Sequence, residues 1–438
     1  MFMFAHKFFK NIHQAYLVTI LYQFAPFHLV ELVVRGSIGE AYTYSFLPFV
    51  LLGILLVFEK PILIRIFIVS FVTALLILSH NAISLVSFAV AILFVLWFAP
   101  DYKRRLLGLI SLAIGLGLTA FYWLPAILER KYTYGDLFMR TMYQSHFPPL
   151  QNFVIPNFTN ATILQTGGIT VYVGLIQTIG ILASLYFLIS HSTRESNRRS
   201  VIVFSFVLIL FSLFFMQPIS AWVWEKIPTL RMFQFPWRLL AVAGMGTALL
   251  GSVLVPLKKQ RRSIVVALIC SVAVLTTIIF WQPPLGYDKI VESDYWNFPL
   301  NTTFFGETDL IWSEGPAKNY PKAPFELIDG KGQISEPYKK SIRHTFTINA
   351  QTPVRILDHT QYFPGWRVYV DGVKTPIEFQ DQKHRGLITF NVEAGMHKVV
   401  VIFGNSPTRT VGNSISLITL SVGVLLFLWT LKNKTSLR

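Results

Sequence analysis

The chain has 438 residues, of which 53% are apolar and only 14% charged, and its mean hydropathy is +0.52. A water-soluble protein of this length needs more charge to cover its surface, so the composition excludes that class. The formal net charge of +16 does not predict a nucleic-acid partner, because much of the basic excess stands in short clusters between apolar runs. The single cysteine, Cys270, excludes an intrachain disulfide.

Hydropathy along the chain predicts ten membrane-spanning helices. The run 42–58 holds 17 residues without a charge; at 1.5 Å per residue it extends for about 26 Å, close to the ~30 Å of a bilayer's hydrocarbon core. The first run is the most polar, and no cleavage site follows it, so no signal peptide is predicted. The ten predicted spans are 14–30, 42–58, 62–79, 83–99, 106–127, 169–190, 201–217, 239–257, 264–281 and 413–431.

Basic residues predict which side of the membrane each loop faces. If the loop RGSIGE (35–40) faces outward, the inward segments hold 16 Lys or Arg in 45 residues, and the short outward segments hold seven in 76. Loops rich in Lys and Arg face the cytoplasm. The chain is therefore predicted to be a multi-pass protein of the plasma membrane with a cytoplasmic carboxyl terminus. Its unusual polar motifs then lie on the outer face.

A β-rich domain is predicted at 282–412, between a membrane domain at 1–281 and a last helix with a basic tail at 413–438. Short runs rich in β-branched and aromatic residues, separated by turn sequences such as VDGV, favour an antiparallel β-sandwich on the extracytoplasmic side. No period is evident in 282–335. The predicted strands are 341–348, 354–360, 366–370, 387–392 and 397–403. Trp296, Trp312 and Trp366 either form a sugar-stacking surface or serve as core and membrane-interface residues.

Arg35 and Glu40, in the first outer loop, are candidate site residues. A guanidinium at headgroup level can bind a phosphate with two hydrogen bonds, while Gly36 and Gly39 let the backbone approach a ligand. Glu40 is the candidate general base toward a hydroxyl. Alternatively, Arg35 and Glu40 pair with each other at the water interface, and Glu40 favours the start of the second helix.

Further polar residues stand on the same predicted face. His80 and Asn81, in a short turn, either bind a pyrophosphate or sugar or close the turn. Arg238 and Arg231 either form a second phosphate-binding pair or anchor helix ends. The other outer acids are Glu129, Asp136 and Glu225, while His146 is interpreted as a loop residue.

The motifs of soluble-enzyme chemistry do not occur in the sequence. There is no phosphate-binding glycine loop, zinc spacing or nucleophile elbow, so no cofactor is predicted. A divalent metal is compatible with the acids, but no ligand set is identified. Gly108, Gly115 and Gly117 are interpreted as helix-packing residues.

Five segments spread over nearly the whole chain carry a resemblance to known proteins: YQFAPFHLVELVVRGSIGEAYTYSFLPFVLL (22–52), LSHNAISL (78–85), FQFPWRLLAVAG (233–244), YFPGWRVYVDG (362–372) and AGMHKVVVIF (394–403). Together they resemble a family of bacterial and archaeal membrane proteins named as related to 6-pyruvoyl-tetrahydropterin synthase, similar to YfhO-like proteins and to the GT-C glycosyltransferase class. The pterin name implies no chemistry here, because no cluster of three histidines is present.

The resemblance implies a protein that handles polyprenyl-phosphate-linked sugars or glycans at the outer face of the membrane. GT-C proteins place an acidic motif in the loop after their first helix, whereas RGSIGE looks like a later loop of the family. An amino-terminally truncated member is therefore expected, and catalytic activity stays open. The alternatives are a non-catalytic protein of envelope-polysaccharide assembly, with the sandwich as binding module, and a transporter or flippase. Transport is disfavoured because few charges stand inside the predicted spans.

Overall fold

The computed structural model describes residues 1–155, 171–190, 196–256, 258–281, 286–297, 306, 308–315 and 319–435. The chain divides into two compact units. The helical unit comprises Met1–Trp123, Thr141–Tyr287 and Ile415–Arg438. The β-rich unit comprises Leu124–Arg140 and Asp288–Ser414.

Helices dominate the described part of the chain. The α-helices are α1 Phe2–Phe9, α2 Ile12–Gln23, α3 Pro26–Leu29, α4 Ile38–Glu59, α5 Leu63–Ser79, α6 Asn81–Phe98, α7 Tyr102–Leu118, α8 Ala120–Leu128, α9 Gly135–Met142, α10 Leu175–Ser190, α11 Ser196–Phe215, α12 Ala221–Lys226, α13 Pro228–Arg231, α14 Leu240–Leu250, α15 Arg262–Leu275, α16 Glu292–Trp296 and α17 Pro407–Thr435. A π-helical turn, Val30–Val34, follows α3, and a 3-10 turn, Pro236–Leu239, leads into α14.

Each of the ten predicted apolar runs coincides with helical structure over most of its described length. Among the described residues, five helices are long and apolar enough to cross a membrane, and the number rises to seven if each of two bent pairs is one span. The count of ten and the orientation of the loops therefore stay predictions. The five candidate spans are Ile38–Glu59, Asn81–Phe98, Asn197–Phe215, Pro236–Leu254 and Pro407–Trp429.

Two predicted spans are broken instead of continuous. The first bends by 49° between α2 and α3, where Pro26 cannot continue the backbone hydrogen bonds of α2. The fifth bends by 71° between α7 and α8, just after Gly115 and Gly117, which weaken a helix. The same glycines permit close packing: a Cβ at Gly115 would lie 2.7 Å from the Ser70 carbonyl oxygen. This confirms the helix-packing interpretation for Gly115.

The β-rich unit contains two antiparallel sheets. Residues from both sheets, including Phe346, Val401, Ile356 and Phe390, form one apolar core, so the sheets pack face to face. The strands are β1 Phe325–Asp329, β2 Gly332–Lys340, β3 Arg343–Ala350, β4 Val354–Gln361, β5 Trp366–Val370, β6 Val373–Thr375, β7 Leu387–Val392 and β8 Gly395–Phe403. The strand orders are β1-β4-β7 and β2-β3-β8-β5-β6.

The five predicted strands are present, whereas β1, β2 and β6 were not predicted. Strand β1 and the start of β2 therefore lie in 282–335, where the sequence shows no period. Edge strand β2 is exposed along most of its length, carries Pro337 and contains a bulge between Ser335 and Tyr338. Such a strand shows no apolar alternation, because neither of its faces is fully buried.

Candidate functional site

Glu40 is the centre of a buried cluster of ionisable side chains in the helical unit. It lies in the first turn of α4, where the helix dipole stabilises a carboxylate, and only 3% of its side chain is exposed. Its Oε1 accepts hydrogen bonds from Arg238 Nε at 3.0 Å and Arg35 Nη1 at 3.2 Å, and lies 3.6 Å from His80 Nε2. We refer to Glu31, Arg35, Glu40, His80 and Arg238 as the Glu40 cluster.

Glu31 was not predicted as a member of the site. It lies in the π-helical turn after α3, is 3% exposed, and accepts hydrogen bonds from Arg35 Nη1 with both of its carboxylate oxygens. The four-residue spacing of Glu31 and Arg35 is the only sequence signal for this pair. Because Arg35 also bonds Glu40, the predicted structural alternative, an Arg35–Glu40 pair, is present.

Arg238 is held from several sides. Its Nη1 donates to the Phe233 carbonyl oxygen at 2.7 Å and to Gln234 Oε1 at 3.0 Å, while its Nε donates to Glu40. Gln234 adopts a positive φ of 59°, and Pro236 opens the 3-10 turn that carries Arg238. The tight FQFPWR segment therefore points this guanidinium at the start of α4.

His80 serves as the N-cap of α6 and faces Glu40. Its Nδ1 accepts hydrogen bonds from the backbone N–H groups of Ala82 and Ile83, both at 3.2 Å. An acceptor at Nδ1 carries no proton, so the ring is neutral and its proton is on Nε2, directed toward Glu40. One nitrogen of the His80 ring therefore caps α6, and the other faces Glu40.

Asn81 does not join this cluster through its side chain. Its Oδ1 accepts a hydrogen bond from the Tyr122 hydroxyl, and the residue is exposed. The structure therefore brings four of the five predicted site residues together. The fifth, Asn81, takes part in a separate contact between α6 and α8.

The Glu40 cluster combines two arginines, two acidic side chains and a neutral His80, and two polar atoms in and beside it do not have partners. Among the described residues, Glu40 Oε2 and Trp237 Nε1 are buried atoms without a hydrogen-bond partner. The Trp237 ring lies under Arg35, with its centroid 4.7 Å from Cζ, and stacks on Phe235 at 5.0 Å.

Stacked aromatic residues connect the broken first span to α4. The hydroxyls of Tyr22 and Tyr44 donate to each other's backbone carbonyl oxygens at 2.6 and 2.9 Å, and their ring centroids are 3.9 Å apart. His28 stacks on Tyr44 at 4.1 Å. These contacts fix the turn that carries Glu31 beside the start of α4.

Gly39 allows close helix packing; it does not serve the approach of the backbone to a ligand that the sequence predicted. A Cβ at this position would lie 2.7 Å from the Ser79 carbonyl oxygen and 3.5 Å from His80 Cδ2. The missing side chain lets α4 approach the turn that carries His80. Gly36, in contrast, adopts a φ of +60° and has open space around it.

Gly39→Ala should destabilise the protein by about 1–3 kcal/mol, because a backbone carbonyl cannot move away as a flexible side chain does. The expected result is a lower apparent Tm of the protein in nanodiscs. Gly286→Ala is the control, since a Cβ there meets no atom within 4 Å. Equal Tm values for both variants would contradict the packing role.

The other predicted outer acids have separate surroundings. Glu129, in the β-rich unit, is bonded through Oε2 to Arg409 at 2.7 and 3.0 Å and through Oε1 to the Ser406 hydroxyl. Glu225 is exposed, and the Asp136 side chain lies outside the described residues. Glu129 is therefore a structural anchor for the start of α17.

Arg231 and His146 have local roles. Arg231 donates to the backbone carbonyl oxygens of Trp224 and Glu225, so its partners differ from those of Arg238. His146 lies in a 3-10 turn and bonds the Met142 carbonyl oxygen at 2.7 Å, as expected for a loop residue.

The three tryptophans of the β-rich unit do not share one environment. Trp366 belongs to the core, and Trp312 donates its Nε1 proton to the Tyr362 carbonyl oxygen and packs on Phe379. Trp296 is 74% exposed. The core interpretation is therefore confirmed for Trp366, and only Trp296 offers an open ring face.

A second buried ionic cluster lies between the sheets. Asp358 is fully buried and accepts hydrogen bonds from His344 Nδ1 at 2.5 Å, Lys339 Nζ at 2.8 Å and the Thr360 hydroxyl at 2.8 Å. Among the residues described, no group of three or more His, Cys, Asp or Glu side chains is placed to hold a metal ion.

Comparisons with known proteins place the chain in a family. A family model described as 6-pyruvoyl-tetrahydropterin synthase related domain, a membrane protein, matches residues 2–283. Neither the curated proteins nor the solved structures gave a significant match. The matched region contains the whole Glu40 cluster and covers more than half of the sequence. The chain therefore belongs to the family of 6-pyruvoyl-tetrahydropterin synthase-related membrane proteins.

Proposed function

We propose that this protein transfers or otherwise handles polyprenyl-phosphate-linked sugars at the outer face of the plasma membrane, with the Glu40 cluster as its reacting site. The observation that carries the proposal is a carboxylate buried at a helix start, with one oxygen bonded to two arginines and the other unpartnered among the described residues. Buried ionisable residues are costly in membrane proteins and mark functional sites.

The two arginines differ in burial and in hydrogen-bond partners, which favours a different role for each. Arg238 is 8% exposed and bonded to the Phe233 and Gln234 oxygens, so it would be a positioning residue that orients Glu40. Arg35 is more exposed, and its Nη2 and Nε have no partner among the described residues. These N–H groups would bind the donor phosphate, while Glu40 Oε2 would take the proton of the acceptor hydroxyl.

Labelled-sugar transfer from polyprenyl-phosphate donors in membranes tests these roles. Glu40→Gln should lower the rate by about 100-fold or more, because the amide keeps the shape but cannot accept the proton. Arg35→Ala should weaken donor binding. Arg231→Ala is the matched control, since Arg231 bonds backbone carbonyls outside the cluster. Transfer that is unchanged in Glu40→Gln would remove the base role.

A second candidate is non-catalytic binding of an envelope glycan by the β-rich unit. The specific observation is a short segment with exposed aromatic rings: Tyr295 is 69% and Trp296 74% exposed, and such rings stack on sugars. The test is glycan binding by the full chain, compared with Trp296→Ala. Loss of binding without any transfer activity would favour this candidate.

A transporter is a further alternative. Few charged residues stand inside the predicted spans, but Glu31, Glu40 and Arg238 are all buried, and Glu31 follows a broken helix, an arrangement that transporters also use. Flux of a labelled lipid-linked sugar across proteoliposomes, without chemical transfer, would favour this alternative.

A further inference from the structure

Two buried atoms without partners lie on side chains that contact the same guanidinium. Glu40 Oε2 and Trp237 Nε1 have no hydrogen-bond partner among the described residues. Glu40 reaches Arg35 through Oε1, and Trp237 lies under the Arg35 guanidinium. Because an unpaired polar group in an apolar interior costs several kcal/mol, both atoms are expected to meet a polar group when the protein works.

The chemistry of the two atoms differs. A carboxylate oxygen only accepts hydrogen bonds, and an indole N–H only donates one. A hydroxyl does both, so a ligand with neighbouring hydroxyls satisfies the two atoms together. The Trp237 ring already stacks on Phe235 and lies under Arg35, which leaves its N–H as the group it offers to a ligand.

We propose that Trp237 is a binding residue and that the Glu40 cluster takes a hydroxyl-bearing sugar ring. Glu40 Oε2 accepts a hydrogen bond from one ligand hydroxyl, and Trp237 Nε1 donates a hydrogen bond to another. This inference rests on the proposed function for the location of the ligand, but it concerns binding and does not require transfer.

The test uses the full chain in lipid nanodiscs and two soluble probes with the same tail, butyl β-D-glucopyranoside and butyl phosphate. Saturation-transfer NMR detects weak binding of each. Trp237→Phe keeps the ring and removes the N–H, so it should lower glucoside affinity about fivefold, the effect of one hydrogen bond. Butyl phosphate affinity should not change. Without ligand, the Tm of this variant should not fall, since the lost N–H has no partner.

Arg231→Ala should leave both affinities at wild-type values. The proposal is overturned if wild-type protein does not bind the glucoside, or if Trp237→Phe binds it as well as wild type does; Glu40 and Trp237 are then satisfied by water alone. Sugar transfer that persists with either result would leave the proposed function standing and remove only this inference.

Discussion

Arg238→Ala should destabilise the helical unit by about 3–5 kcal/mol, among the largest effects of any substitution in this protein. The change removes the guanidinium that donates to Glu40 Oε1 at 3.0 Å and leaves a buried carboxylate with Arg35 as its remaining close cation. Removing one partner of a buried ion pair has this cost, because the remaining charge is desolvated and has lost part of its compensation. The measurement is the apparent Tm in nanodiscs.

A double substitution separates this effect from lost packing. Arg238→Met combined with Glu40→Gln removes both charges, so the double variant should be more stable than Arg238→Ala. Arg231→Ala should change the Tm little, because Arg231 faces backbone carbonyls and is not buried. A double variant less stable than Arg238→Ala would show that the contacts of Arg238 with Phe233 and Gln234 matter more than its charge.

Asp358→Asn should destabilise the β-rich unit by about 3 kcal/mol. Asp358 only accepts hydrogen bonds, from His344, Lys339 and Thr360, and an amide would direct its own N–H₂ toward one of those donors. The Lys339 ammonium then has no compensating charge at Asp358, and one buried donor loses its acceptor. The measurement is thermal unfolding of the full chain, in which the apparent Tm should fall relative to wild type.

A matched exposed pair is the control. Asp371 bonds His397 Nδ1 at 2.7 Å but is half exposed, so Asp371→Asn should lower the Tm much less than Asp358→Asn. Equal effects of the two substitutions would contradict the importance of burial.

Acid should weaken the β-rich unit through the same buried carboxyl. Burial raises the pKa of Asp358, but the hydrogen bonds from His344 and Lys339 outweigh burial, and the net pKa is lowered. A group with a depressed folded pKa adds stability above its unfolded pKa, about 3.9, and loses it as the pH falls through the folded pKa. The wild-type Tm should therefore fall below about pH 4, with a smaller fall in Asp358→Asn.

The local pattern of the sequence was enough to predict the class of protein, its helical runs and the five strands that carry the sandwich core. A long uncharged run indicates a buried helix, and apolar alternation indicates a strand with one buried face. Both patterns are visible among residues that are close in sequence, so these elements can be predicted without the tertiary structure. The exposed edge strand β2 and the three-residue β6 were not predictable in this way, because their pairing partners, and not their own apolar pattern, define them.

The sequence also determined which polar residues were candidates: Arg35, Glu40, His80 and Arg238 each stand out in an apolar chain. Only the tertiary structure decided that they meet at one oxygen of Glu40, that Glu31 joins them, and that Asn81 bonds Tyr122 instead. The physical reason is distance along the chain. Residues 40, 80 and 238 become neighbours only when a glycine at position 39 lets α4 touch the turn before α6, and when a proline-led turn directs Arg238 inward.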